Sequence, residues 1–484
     1  FNDFKLNLPV DFDPDNYKKI NKLFKDLKGE YYSLYNVEKI LNKIETITVD
    51  EQYESVDVKI DETINSDKIN ISFNISESPK IFVKKINILG NNVTDEKVIR
   101  NQVVIDEGDP YNDILYTKSI NNIKSLNFFR EVKGEVIDNK DNDTKTINIS
   151  IQEKPTGEIS VGAGYGTTGG TFGFNVNESN FMGEGIKLSS SINLSPNKVT
   201  GKIVVDNPNY KLSGNSLSSV FESTKTSKLT DYGYESSITG FAFGTAFEQW
   251  DDIFISPEIA TYYEEITTAN NASAQLKKQS GDYFETAVNY ALISDKRNQN
   301  FQPTEGYRMS FNQVVPVYSD TPSITNGFDY TAYWQISNSI IASTNLFTRA
   351  ITSISNDNDV KISTRLRIPS RYLKGFEAGK IGPVDNNDYI GGNYATALGF
   401  KANFPKLFSG LQNFDFNLFV DTANLWGIDY DGSLDDKSKL RSSIGVSTDV
   451  FTPVGPLSFS LAQPISKADT DTTETFRFNL GTTF

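Results

Sequence analysis

Lys374, in Leu373-Lys374-Gly375-Phe376, and Asp421, in Phe419-Val420-Asp421, are the residues whose types and settings point to chemistry. That chemistry is electrostatic. An ammonium and a carboxylate brought together away from water form a charge-assisted hydrogen bond that fixes one segment against another. Covalent chemistry has little to draw on, because the chain contains no His and no Cys. Nucleophilic catalysis with a histidine base and zinc sites of nitrogen and sulfur are thereby excluded. No catalytic residue, metal or cofactor is assigned. The net charge of -15 disfavours a nucleic-acid partner, whose phosphates need Lys and Arg. Surplus carboxylates suit aqueous loops and a wet interior.

The elements that would position Lys374 and Asp421 are strands. Asp421 shares its parity with Asp415 and Asn417, so a strand through this region points all of them to one polar face. Lys374 lies in a connection of about forty residues, about 357–391, between strands near Leu346–Ser355 and Tyr394–Asn403. Loops of that length are functional or disordered. The expectation is an ordered loop folded inward, with Lys374 meeting Asp421. The competing expectation is a flexible surface loop with a solvated Lys.

Strand alternation continues to the end of the chain. Phe476, Phe478, Leu480 and Phe484 share one parity; Arg477, Asn479, Gly481 and Thr483 share the other. Such a pattern suits a transmembrane barrel, with lipid outside and water inside. Ile444, Val446 and Val450, and Leu457, Phe459 and Leu461, repeat it. Residues 156–484 carry about sixteen such stretches separated by Gly, Asn, Asp and Pro, which predicts a transmembrane β-barrel of about 16 antiparallel strands. A soluble sandwich ending on this strand is the bland alternative. No apolar run reaches the ~20 residues of a membrane helix. No charged-then-apolar leader precedes Phe1, which for an exported protein implies processing or truncation before it.

Residues 1–155 differ, and they repeat. Ile69-Asn70-Ile71-Ser72 returns as Ile147-Asn148-Ile149-Ser150, and Gly29, Tyr32 and Ile44 return as Gly108, Tyr111 and Ile123. Tandem α+β units over 1–79 and 80–155 follow, each in the order β-α-α-β-β. A helix begins near Pro14 in the first unit. In the second, Thr94 is the candidate cap of a short helix, and a longer helix starts near Asn112. Each small sheet offers an unpaired edge that an extended peptide can join. The alternative is that the edges are blunted and the units are spacers.

In this order and spacing the motifs resemble the BamA family, the central subunits of the outer-membrane β-barrel assembly machinery. The resemblance covers essentially the whole chain. The two units look like the last two POTRA domains of that family. Lys374-Gly375-Phe376 with Ile381-Gly382-Pro383 resembles its Arg-Gly-Phe loop motif. Phe419-Val420-Asp421-Thr422-Ala423-Asn424-Leu425-Trp426 resembles its Phe-x-Asp-x-Gly-x-x-Trp strand. Pro453-Val454-Gly455-Pro456-Leu457 with Gln463-Pro464 resembles its penultimate hairpin, and the terminal Phe-x-Phe-x-x-Gly-x-x-Phe its barrel signal. Lys374 stands where the family has Arg, keeping charge but losing the bidentate fork. Ala423 stands for a usual Gly, and Lys401 where an acid is frequent, so the lock would rest on Asp421 alone.

The resemblance implies a non-enzymatic factor in the outer membrane of a Gram-negative bacterium, with its POTRA domains in the periplasm. Its partners would be unfolded outer-membrane proteins, accessory lipoproteins and outer-membrane lipid. By the same likeness Arg100 and Glu107 occupy lipoprotein-contact positions; read alone they are ordinary exposed charges. The first barrel strand carries Gly162, Gly164 and Gly166, and the last carries Gly481. Glycine weakens strand interiors, so the expectation is a poor seam between these strands that opens sideways, to be locked by Cys at Ser160 and Asn479 or at their nearest cross-seam neighbours. The rivals are a two-partner secretion pore or a translocation-and-assembly barrel. A barrel protease or phospholipase would rely on His, and a porin would need no appended domains.

Overall fold

The computed structural model describes the chain except residues 11, 30–35, 38, 42, 45–46, 48–55, 66–67, 78–80, 140–142, 251, 301, 338, 356–358, 406, 408–413, 430–433, 453–454 and 481–484. It divides into two compact units, Phe1–Thr156 with Ser179–Gly185, and Gly157–Glu178 with Ile186–Phe484.

The first unit holds two small sheets. One is formed by β1 (Asp3–Asn7), β2 (Val56–Asn65) and β3 (Lys68–Glu77) in the order β1-β3-β2. The other is formed by β4 (Phe82–Leu89), β5 (Phe129–Asn139) and β6 (Thr144–Glu153) in the order β4-β6-β5. In both, the central strand runs parallel to the first and antiparallel to the second. The repeated Ile-Asn-Ile-Ser explains why. Its isoleucines, among them Ile71, Ile147 and Ile149, are buried under the helices. Its asparagines bond across the sheet: Asn2 Nδ2 donates to Asn70 Oδ1 at 2.7 Å and Asn87 Nδ2 to Asn148 Oδ1 at 2.9 Å.

Helix α1 (Lys18–Leu27) buries Ile20 and Phe24, one turn apart, on the first sheet. Pro14 opens a 3-10 turn, Pro14–Tyr17, ahead of α1 rather than the α-helix itself. Helical positions between 36 and 47 add Val37, Ile40, Ile44 and Ile47 to the same core. In the second sheet, α2 (Glu96–Arg100) is capped by Asp95, whose side chain accepts from Lys97 N. Thr94 is therefore not the cap: its hydroxyl accepts from Asn180 Nδ2 at 2.9 Å within the same compact unit. Asn112 Oδ1 accepts from Leu115 N at the start of α3 (Asp113–Ser125), which buries Ser119, Ile120 and Ile123.

The second unit is a closed antiparallel barrel. Its strands are β7 (Gly157–Gly166), β8 (Gly169–Phe181), β9 (Ile186–Ser195), β10 (Lys198–Asn207), β11 (Ser216–Lys228), β12 (Tyr234–Trp250), β13 (Ile253–Thr268), β14 (Gly281–Asp295), β15 (Gly306–Ser319), β16 (Ser323–Ser337) and β17 (Ile340–Ser353), then β20 (Tyr394–Phe404), β21 (Phe414–Trp426), β22 (Arg441–Thr452), β23 (Gly455–Ser466) and β24 (Phe476–Leu480). These are the sixteen strands of the barrel, closed by β24 on β7. A two-stranded ribbon, β18 (Val384–Asp385) with β19 (Asp388–Tyr389), sits in the long connection between β17 and β20.

Alternation decides the two faces. Ile159, Val161, Phe221, Phe241, Phe243, Ile259, Phe284, Phe400, Ile444 and Leu461 are exposed outward. Their neighbours along the strands, such as Thr224, Ser236, Glu264, Asn417, Asp421 and Ser443, are buried inside. Exposed aliphatic and aromatic side chains on this scale are tolerated where the surroundings are hydrocarbon. Among the described residues no helix is long and apolar enough to cross a membrane.

Candidate functional site in the barrel lumen

The long connection turns into the barrel and packs there. Ile368, Leu373, Phe376 and Ile381 join Phe347, Ala395, Ala397, Ala423 and Leu425 of the barrel wall in one buried cluster. Ala423 is thus a packing residue, its methyl filling space against the loop.

Lys374 Nζ lies 3.1 Å from Asp421 Oδ2, and the Lys374 backbone N–H donates to the same oxygen at 3.2 Å. The Asp421 side chain is 3% exposed and that of Lys374 23%. The ammonium also lies 4.3 Å from the Phe419 ring centroid, a cation–π contact. Ser443 Oγ donates to Lys374 O at 2.6 Å. Gly375 follows at φ +88°, and a Cβ there would press on Ala462 and Ser443 at 3.2 Å. A side chain at this position is disfavoured both by backbone and by space. Lys401 lines the same wall, and among the described residues no carboxylate lies within ion-pair distance of it.

The loop motif is stitched to the approach to the last strand. Phe376 forms an isolated β-bridge with Thr473. Glu474 N donates to Gly375 O at 3.0 Å, Glu377 N to Thr472 O at 3.0 Å, and Thr472 N to Lys380 O at 3.0 Å. Arg477, on the lumenal parity of β24, donates to Phe376 O at 2.8 Å and pairs with Glu474.

Further ion pairs hold the connection, and those described next were not singled out from the sequence. Arg441 grips Asp471 through Nε at 2.9 Å and a second nitrogen at 3.0 Å, with both side chains almost wholly buried. Asp471 also accepts from Gly382 N at 3.3 Å. Arg365 pairs with Asp429 and donates to Asn393 Oδ1 at 3.1 Å. Lys361 lies 2.9 Å from Glu264 and 3.6 Å from Glu285. Parity marks Arg441 and Glu264 as inward charges, but their partners sit in loops whose path no periodicity encodes.

At the closure, Asn479 pairs with Gly166 and Leu480 with Tyr165. Thr167 N donates to Phe478 O at 3.1 Å. Against β23, the same strand pairs from Phe476 to Leu480. A Cβ on Gly166 would come within 2.7 Å of Phe478 O, so glycine permits this approach. Gly162 pairs with Gly173 and Gly164 with Thr171 on the β8 side. Ser160 faces Asn175 and not Asn479, because β24 meets only the far end of β7 among the described residues. Gly481 and Phe484 lie outside the described residues. Phe476 and Leu480 are exposed outward, and the Phe478 ring leans on Tyr165 at 6.3 Å.

In the first unit, Arg100 and Glu107 are 3.7 Å apart and both half exposed. They occupy the outer edge of β4, where Arg100 donates to Ile86 O at 3.0 Å and Glu107 accepts from Ile86 N at 2.9 Å. Val83 N and O bond to Asp109 O and Gly108 N along the same edge. The β4 edge is therefore covered. The other terminal strands of the two sheets are β1, β2 and β5. Glu153 accepts from the N–H groups of Asn92, Val93 and Thr94 at 3.0, 3.0 and 2.7 Å. Burial alone would raise its pKa, but these donors outweigh burial and hold the carboxyl below its ordinary range. Among the described residues, no group of three or more acidic side chains is placed to hold a metal ion.

A family model described as the Omp85 superfamily domain matches residues 156–484. A second, POTRA, described as a surface antigen variable number repeat, matches residues 81–154. The chain is 24% identical over 427 residues to the outer membrane protein assembly factor BamA of Neorickettsia risticii, covering 86% of this chain and 57% of that protein. It is 22% identical over 541 residues to the factor of the same name from Neisseria meningitidis serogroup B, covering 99% and 66%. The chain thus spans 57% to 66% of the length of these curated relatives. The crystal structure of BamA from Haemophilus ducreyi lacking POTRA domains 1-3 is similar in fold, with TM-score 0.77 over 100% of both chains at 20% identity. CdiB from Acinetobacter baumannii is less similar, with TM-score 0.52 at 12% identity over 99% of this chain and 89% of that one.

Proposed function

The chain belongs to the Omp85 superfamily, and on that footing we propose that it folds and inserts β-barrel proteins into an outer membrane. The work is done by a sheet edge. Where β24 meets β7, Gly166 lies opposite Asn479, and a Cβ there would stand 2.7 Å from Phe478 O; this side-chain-free approach at the junction of the first and last barrel strands is the observation that supports the reading. An opened β7 edge in hydrocarbon is costly until another strand pairs with it. An incoming client strand supplies that pairing, and successive strands follow.

The terminal strands β1, β2 and β5 support a second step, in which the POTRA units receive unfolded clients by strand addition in the periplasm. The Arg100–Glu107 surface is the proposed seat of an accessory lipoprotein. No covalent step is needed. The test is reconstitution: purified chain in liposomes, with an unfolded client barrel added and its folding followed by gel mobility without boiling. The reading expects client folding at least about tenfold faster than in empty liposomes, about 1.4 kcal/mol of barrier. Equal rates would refute it, and a large steady conductance with no folding would point to a transport pore.

A further inference from the structure

A cavity of about 510 Å3 lies inside the barrel between β10–β14 and the long connection. Its strand-borne walls include Glu222, Thr224, Ser236, Tyr262, Glu264, Tyr283 and Glu285, all of inward parity. The outward neighbours Phe221, Phe241, Tyr263 and Phe284 are exposed on the opposite face. The cavity therefore opens to water and not to lipid.

Its charges are unevenly paired. Glu222 lies 3.5 Å from Lys202, and Glu264 and Glu285 are held by Lys361. Lys198, Lys228 and Arg367 also line the cavity. Among the described residues no carboxylate lies within ion-pair distance of any of the three. Lys228 and Arg367 instead share one aromatic ring, at 4.6 and 4.4 Å from the Tyr232 centroid. In a chain of net charge -15, three cations left without acids around one cavity are a departure that asks for an anion. Like charges gathered on one ring repel until an anion joins them.

Among the described residues, three buried polar atoms in the same walls have no hydrogen-bond partner: Glu264 Oε1, Ser363 Oγ and Arg367 Nε. Glu264 itself is 3% exposed. An orphan carboxylate oxygen at that depth needs a donor. A bare phosphate offers none when fully ionised and would be repelled by Glu264. A ligand with an anionic end for the cations and hydroxyl groups for Glu264 and Ser363 satisfies both sets. The volume falls in the ordinary range of small-molecule sites.

We propose that this cavity is a binding site for a small water-soluble phosphorylated polyol, its phosphate held by Lys198, Lys228 and Arg367 and its hydroxyls by Glu264 and Ser363. The site is separate from the closure between β24 and β7, and its existence does not depend on the assembly reading.

The test is calorimetric titration of the full chain in phosphatidylcholine nanodiscs with glucose 6-phosphate, inorganic phosphate and glucose. Glucose 6-phosphate is expected to bind saturably, inorganic phosphate about tenfold or more weaker, and glucose not measurably. Lys228→Gln and Arg367→Gln should each weaken glucose 6-phosphate at least about tenfold, the loss of one charge-assisted contact. Lys198→Gln lies at an exposed strand start and serves if Arg367→Gln fails to fold. Lys296→Gln, on a turn outside the cavity, should bind as the parent does. Absence of saturable binding would overturn the proposal. So would equal binding by parent and cavity variants, or equal affinity for phosphate and glucose 6-phosphate.

Discussion

Replacing Lys374 by Met removes the ammonium from Asp421 while keeping the aliphatic stem over Phe419. Asp421 is left 2% exposed, with the Lys374 backbone N–H at 3.2 Å as its remaining donor from this residue. Breaking a buried ion pair by removing one partner costs roughly 3–5 kcal/mol. Two features lower that here. The backbone donor persists, and the Lys374 side chain keeps 23% of its surface exposed, so water shares the charge. The expected loss is about 2–3 kcal/mol, or roughly 30- to 150-fold in the population of the undocked loop. Arg365, Arg367 and Arg371 lie in this connection and offer trypsin sites once it undocks. The assay is limited trypsin digestion of the purified barrel in detergent, reading cleavage there against the parent. The double variant Lys374→Met with Asp421→Leu leaves no lone buried charge, so it should recover about 1 kcal/mol or more of the single variant's loss. Cleavage of Lys374→Met at the parent's rate would refute the reasoning. So would a double variant more labile than the single.

Other perturbations probe the remaining contacts. Arg441→Leu strands the buried Asp471 and should cost about 3–5 kcal/mol, read as a lower urea midpoint of the barrel in detergent. Gly382→Ala sets a Cβ 2.6 Å from Leu425 at φ +96° and should cost about 1–3 kcal/mol by the same measure. Arg477→Gln cuts the tie to Phe376 O, and amide exchange of Phe376 and Glu474 should speed up while β20 and β21 stay unchanged. For Glu153, the folded carboxyl titrates below its ordinary 4.5, so its contribution is fully present above that value and is lost as pH falls through the depressed one. Protection factors at Asn92, Val93 and Thr94 should therefore hold near neutrality and drop in acid, whereas Glu153→Gln should show lower protection with little pH dependence.

The barrel was legible because its signal is periodic: Phe476, Phe478 and Leu480 against Arg477 and Asn479 is a statement about faces that needs no knowledge of register. The inward side of Asp421 followed from the same parity, and Lys374 from the family likeness and the length of its loop. What escaped depends on register or on irregular chain. Ser160 and Asn479, or their nearest cross-seam neighbours, were named across the seam, and only the register shows that Gly166 is the residue opposite Asn479. Asp471, Asp429 and Asn393 sit in segments without period, so Arg441 and Arg365 had no readable partners. The cap fell on Asp95 and not Thr94, because the Thr94 hydroxyl is engaged by Asn180, far along the chain. Each sheet was expected to offer an unpaired edge, with no strand named; at β4, backbone from 108–109 and the Arg100 and Glu107 side chains occupy the edge.

The central claim is that clients enter through the junction of β24 and β7, and a covalent clasp tests it most directly. Tyr165→Cys with Leu480→Cys places thiols on one registered pair of that junction. Oxidised, this variant should lose client folding in liposomes, and a reductant should restore it, while each single variant stays active throughout. Full activity in the oxidised, demonstrably cross-linked protein would contradict the account.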